Sequence, residues 1–102
     1  MEKPEFGTPG TVEEYFRRAV GKADQGDLQG AIDGYTEALG LGPKNAAAYY
    51  DRGALRARLG QQEDALADLQ QAADLSRAHG DMEHYQQVVE TLRRVRGEFP
   101  SP

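Results

Sequence analysis

The sequence repeats itself with a period of 34 residues, and this repeat constrains the fold more than any other feature. The identical pairs at that offset include Tyr15/Tyr49, Arg18/Arg52, Ala23/Ala57, Gly26/Gly60, Ala31/Ala65, Ala38/Ala72 and Leu41/Leu75. A fixed period of this length is typical of supersecondary units that stack and bury a continuous core together. The chain is therefore expected to form a solenoid.

Each repeat unit has the pattern of two helices. Apolar residues recur at spacings of three and four in five segments, which are 12–25, 28–41, 46–59, 62–78 and 82–97. Glycine breaks the pattern between the segments, at Gly26, Gly60, Gly80 and the stretch 40–43. The sequence therefore predicts an all-α fold of five helices, in which two helix-turn-helix repeats are followed by one capping helix.

This pattern resembles the tetratricopeptide repeat family, whose helix pairs share an early aromatic residue, small residues and a glycine turn. The first repeat carries Tyr15, Ala19, Gly26, Ala31, Tyr35, Ala38 and Pro43, and the second carries Tyr49, Gly53, Gly60, Ala65, Leu69 and Ala72. Arg77 stands where the family has a proline, which favours a helix that continues to about Ala78. The resemblance implies repeat one at 12–45, repeat two at 46–79 and a capping helix at 81–97.

Length and composition restrict the class of protein. A chain of 102 residues favours a single domain, and the absence of cysteine excludes disulfides and cysteine-ligated metals. A formal net charge of −5 disfavours nucleic-acid binding, and no apolar run is long enough to span a membrane. We expect a soluble, cytoplasmic protein with flexible segments at 1–11 and 98–102, where proline and glycine are frequent.

Few residues in the sequence are suited to catalysis. His79 and His84 are five positions apart, whereas metal-binding pairs on one helical face are three or four apart, so both are interpreted as surface residues. The stretch 40–45 contains glycines, but Pro43 removes one of the amides that a phosphate loop needs. Cysteine is absent and hydroxyl side chains are rare between the predicted termini. The sequence therefore predicts no enzyme, no cofactor and no metal.

Charge is distributed unevenly between the two helix types. Nine of the twelve basic residues lie in 12–25, 46–59 and 82–97, whereas the other two helices are acidic. In tetratricopeptide repeat arrays the first helices of each pair line a concave groove, which implies a neutral-to-basic inner face here. The same resemblance implies that Asp68 and Asp74 lie on an exposed, acidic back. The alternative is that the basic side chains pair with neighbouring carboxylates.

The resemblance implies a non-catalytic module that binds a peptide or partner helix in its groove. The implied groove residues are Phe16, Arg17, Val20, Ala23, Tyr50, Asp51, Ala54, Ala57 and Arg58. Family members that clamp a C-terminal carboxylate use Lys and Asn on one helix and Asn on the next. Phe16, Val20 and Asp51 occupy those positions, so the clamp is absent.

Three alternatives remain open from the sequence. Phe16 and Tyr50 can instead pack against each other or against the capping helix. The chain can be a self-associating structural element that forms a weak homodimer, because the N-terminal edge of the stack, which no further helix covers, or the groove itself can pair with a second copy. It can also be part of a larger multidomain protein.

Overall fold

A computed structural model of the chain describes residues 10–98. Its helices are α1 (Val12–Asp24), α2 (Leu28–Leu41), α3 (Ala46–Arg58), α4 (Gln62–Ala78) and α5 (Met82–Arg96). Turns join them, and each helix packs antiparallel on its neighbour in the sequence. The predicted all-α fold of five helices is confirmed. Most of the segments expected to be flexible, 1–11 and 98–102, lies outside the described residues.

Three glycines allow the helices to reverse direction. Gly26, Gly60 and Gly80 have φ angles of +86°, +81° and +75°, a left-handed conformation that glycine adopts without a Cβ clash. Each follows the end of a helix and precedes the residue that caps the next one. The period of the sequence is therefore also a period of backbone geometry.

Polar side chains cap most of the helix N-termini. Thr11 and Glu14 form a capping box at α1, since each side chain accepts a hydrogen bond from the backbone N–H of the other. Asp27, Asn45 and Asp81 accept from backbone amides in the first turns of α2, α3 and α5, at 2.9–3.1 Å. These contacts fix where each of the four helices begins.

Helix α4 begins differently, and this difference leads to a prediction. Gln61 makes no side-chain cap, although its backbone angles of −86° and 69° nearly match those of Asp27 and Asp81. Gln61→Asp is expected to raise the free energy of unfolding by about 1 kcal/mol, because a carboxylate there can accept from the first-turn amides. Urea denaturation of the variant and the wild type measures the difference. A midpoint that does not rise would contradict the prediction.

The apolar core consists of two clusters. The first lies among α1, α2 and α3 and includes Ala19, Ile32, Tyr35, Leu39 and Leu55. The second joins α4 to α5 through Leu69, Ala72, Ala73, Val88 and Leu92. Tyr49 packs against both clusters and links them. The prediction that apolar residues of the capping helix pack on helix 62–78 is thereby confirmed.

Paired small residues bring the helices of each repeat close together. A Cβ added to Gly34 would lie 3.0 Å from the Cβ of Ala19, and one added to Gly53 would lie 3.0 Å from the Cβ of Asp68. Positions 19 and 53 are equivalent in the 34-residue repeat, as are 34 and 68. The glycine is therefore on the second helix in repeat one and on the first helix in repeat two. That exchange makes room for Asp68 in the interface between α3 and α4.

Within residues 10–98, none of the helices combines the length and apolar character needed to cross a lipid bilayer.

Candidate functional site

An open groove lies along α1, beside the N-terminus of α3. Val12, Glu13, Phe16, Arg17 and Val20 line it from α1, and Asn45, the N-cap of α3, closes one side. Its volume is about 410 Å³. We call it the α1–α3 groove. Three of the predicted site residues, Phe16, Arg17 and Val20, are among its lining residues.

The groove has an apolar floor held by the first core cluster. The ring of Phe16 meets that of Tyr35 edge to face, with centroids 5.2 Å apart and planes at 80°. Tyr35 itself is buried, so Phe16 is fixed from below while one side of it faces the groove. Val20 is 38% exposed, and Arg17 is exposed at the rim. An apolar side chain of a ligand would therefore meet a preformed surface.

Tyr50 does not share this groove. Its hydroxyl lies 3.0 Å from the hydroxyl oxygen of Thr91 in α5, and its ring meets that of His84 edge-on at 5.5 Å. The Thr91 hydroxyl also bonds to the carbonyl of Gln87, so Tyr50 is the donor to Thr91. Phe16 packs on the first cluster, whereas Tyr50 packs on the second. Of the alternatives left open by the sequence, the structure shows Tyr50 packed against the capping helix.

The remaining predicted site residues differ in exposure. Ala23, Ala54 and Ala57 are half-buried, and Arg58 is exposed at the end of α3. Asp51 is half-buried near the Tyr35 hydroxyl. Burial raises the pKa of Asp51, although hydrogen bonding from Tyr35 and the nearby His84 partly offset this. Burial and the adjacent carboxylates of Asp51 and Asp24 also raise the pKa of Tyr35.

The prediction that basic residues line the inner face is wrong for Arg52 and Arg56 of α3. Arg52 donates from Nε and Nη2 to the two carboxylate oxygens of Asp68, each at 2.8 Å, and Arg56 donates to Asp68 at 2.9 Å. Arg52 also donates to the Thr36 hydroxyl of α2 at 3.0 Å. These two side chains therefore join α2, α3 and α4 and do not line a groove.

The expectation that Asp68 lies on an exposed back is also wrong. Asp68 is only 4% exposed, because it lies in the α3–α4 interface opposite Gly53 and is held by both arginines. Asp74 is exposed, and it accepts a hydrogen bond from Gln70. Only one of the two acidic residues can therefore serve as a surface control.

The Ser76 hydroxyl and the His84 imidazole contact each other inside the fold. Ser76 Oγ lies 2.7 Å from His84 Nδ1, but Ser76 is 1% exposed, so a substrate cannot reach it. The expectation that both histidines lie at the surface holds for His79 and is wrong for His84, which is half-buried between Ser76 and Tyr50. Among residues 10–98, no group of three His, Cys, Asp or Glu side chains is placed to hold a metal ion.

Comparison with known proteins agrees with this architecture. A family model described as a TPR repeat matches residues 22–60. Over 69 residues the chain is 37% identical to a tetratricopeptide repeat protein 36 homolog of Nematostella vectensis and 32% identical to tetratricopeptide repeat protein 36 of Danio rerio. This chain is a tetratricopeptide repeat protein. The matched region is 68% of the chain but only 38% and 37% of the lengths of these two relatives.

Solved structures show the same fold. A solution structure of a tetratricopeptide repeat domain protein from Salinibacter ruber superposes with a TM-score of 0.80 at 18% identity, covering 93% of this chain and 96% of that one. A crystal structure of a tetratricopeptide repeat domain protein from the same organism gives a TM-score of 0.79, covering 86% and 98%.

Three residues around the site of this tetratricopeptide repeat protein were not predicted from the sequence. Tyr35, His84 and Thr91 were absent from the predicted set, yet they set the surroundings of Phe16, Asp51 and Tyr50. Tyr35 lies on the second helix of its repeat, and the other two lie on the capping helix, so the repeat pattern did not mark them as ligand-facing. One signal in the sequence could have indicated the two α5 residues. The 34-residue period stops before α5, so the contacts of α5 differ from those within the repeats.

Proposed function

We propose that this chain is a protein-interaction module that binds an apolar side chain of a partner segment in the α1–α3 groove. The groove itself is the observation that carries the proposal. Its volume of about 410 Å³ lies in the range of ligand pockets, and Val12, Phe16 and Val20 give it an apolar lining. Arg17 and Glu13 at its rim can orient a partner by charge without supplying most of the affinity.

The family supports this class of function, because tetratricopeptide repeat domains are generally protein-interaction modules. The geometry supports a modest affinity. A single half-buried aromatic residue beside valines provides a small anchor, so we expect a dissociation constant in the micromolar range. This corresponds to a binding free energy of about −8 kcal/mol. Such a complex is transient rather than permanent.

In the experiment, peptides are selected on the wild type from a random library displayed on phage. Their binding is then compared between two variants, each of which is changed at one exposed apolar position. Val20→Gln places a polar amide in the groove and is expected to weaken the binding of peptides selected on the wild type by about tenfold. Val20 is exposed on the helix surface, so the fold should be retained, which circular dichroism checks.

Leu59→Gln provides the matched control. Leu59 is 42% exposed at the end of α3 and does not line the groove, so this variant should bind the same peptides as the wild type does. If Leu59→Gln lost the peptides and Val20→Gln kept them, the binding site would lie elsewhere and the proposal would be wrong.

A further inference from the structure

Asp51 does not line the α1–α3 groove, but Tyr35 connects the two through a chain of contacts. Phe16, on the groove floor, packs on the ring of Tyr35, and the hydroxyl end of Tyr35 lies near the Asp51 carboxylate. Asp51 occupies the position on α3 that Arg17 occupies on α1, one 34-residue period earlier. A segment lying across α1 and α3 can therefore reach the groove and Asp51 together.

The carboxylate of Asp51 has no strong cationic partner in the described part of the chain. Residues 10–98 place no lysine or arginine within ion-pair distance of it. Its nearby polar groups are the Tyr35 hydroxyl from α2 and His84 from α5, and Asp24 at the end of α1 adds negative charge around the same hydroxyl. Half-burial removes water from Asp51, and the protein does not replace that water with a fixed positive charge.

Asp68 provides the comparison with Asp51, because it is a carboxylate with a structural role in the same chain. It is more deeply buried than Asp51, and it receives three hydrogen bonds from two arginines. Burial raises the pKa of Asp51, so its charge opposes folding. A charge that the fold does not need, on the face beside an open groove, is typical of a binding group.

We infer that Asp51 receives a lysine or arginine side chain from the same partner segment whose apolar side chain fills the α1–α3 groove. This inference rests on the proposed function. On α1 the rim of the groove carries Arg17 and Glu13, whose opposite charges offset each other, whereas Asp51 on α3 has no lysine or arginine of residues 10–98 within ion-pair distance.

The test uses the same displayed library on three proteins. Peptides selected on the wild type should combine an apolar residue with a lysine or arginine at a constant spacing. Selection on Asp51→Asn should keep the apolar residue and lose the enrichment of the cation. Asp74→Asn removes an exposed carboxylate on α4, and it should select the same peptides as the wild type.

Synthetic peptides then isolate the charge. In the best selected peptide, lysine is replaced by norleucine, which keeps the alkyl chain and removes the ammonium group. We expect about tenfold weaker binding to the wild type and almost no difference on Asp51→Asn. An apolar consensus without a cation, or an equal loss on both proteins, would overturn the inference and leave the proposed function intact. A library that yields no peptide sensitive to Val20→Gln would overturn both.

Stability gives a second, independent measurement. The raised pKa means that the folded state holds the Asp51 proton to a higher pH than the unfolded state does. Stability therefore falls as the pH rises from the pKa of Asp51 in the unfolded state through its pKa in the folded state, and the penalty is complete above both. Asp51→Asn should consequently melt no lower than the wild type at pH 7. A clearly lower melting temperature would make Asp51 a structural residue and overturn the inference.

Discussion

Asp68→Asn is expected to lower the free energy of unfolding by about 3 kcal/mol, since it leaves two arginines without their carboxylate. The side chains of Arg52 and Arg56 are only 13% and 22% exposed, so water can replace the lost acceptor only in part. For a domain of this size the melting temperature should fall by roughly 12 °C or more. Thermal unfolding followed by circular dichroism measures the change.

Asp74→Asn is the control for this prediction. Asp74 lies on the same helix but is exposed, and its only described side-chain contact is with Gln70. Its replacement should change stability by no more than about 0.5 kcal/mol. Equal melting temperatures for the two variants would show that the bonds among Arg52, Arg56 and Asp68 do not hold α3 to α4.

The fold was predictable because its determinants are local and repeated. Helix periodicity and a turn glycine act over a few neighbouring residues, and each occurs again 34 positions later. Gly26 and Gly60 have nearly the same φ angle, so their alignment in the sequence corresponds to an alignment in the backbone. Repetition made each weak local signal more specific.

The burial of Asp68 was not predicted, although a signal was present. An aspartate within an amphipathic helix usually faces solvent, and the repeat assigned Asp68 to the back. Its equivalent in repeat one is Gly34, which faces Ala19, and Asp68 faces Gly53. A larger residue at 68 is thus accompanied by a smaller one at 53. That exchange is visible only when two aligned positions are compared across both helices.

The surroundings of Tyr50 were not predictable from the repeat for a different reason. Tyr15, Tyr49 and Tyr85 each lie four residues after the N-cap of their helix, but Tyr85 follows Tyr49 by 36 residues instead of 34. The longer α4 places α5 in another register. The packing of α5 on the repeats therefore decides which α5 side chains contact Tyr50. The 34-residue repeat does not predict that packing.

Removal of residues 82–102 is expected to have the largest effect on stability. In α5, Val88 is fully buried and Leu92 is 4% exposed, and both pack on Leu69, Ala72 and Ala73 of α4. Burial of each of the two large side chains contributes about 1.5–3 kcal/mol. A repeat unit depends on its neighbour for its core, so the truncated chain should melt at least about 12 °C lower or lose its cooperative transition.

A point substitution tests the same contact without shortening the chain. Leu92→Ala should cost about 2–5 kcal/mol, because it leaves a cavity against Ala72 and Ala73. The neighbouring Arg93 faces solvent, so Arg93→Ala should melt close to the wild type. A truncated chain with the wild-type melting temperature would show that α5 does not cap the stack. Loss of stability in the truncation and in Leu92→Ala, but not in Arg93→Ala, would assign the effect to the buried face of α5, the same helix that holds the Tyr50 hydroxyl through Thr91.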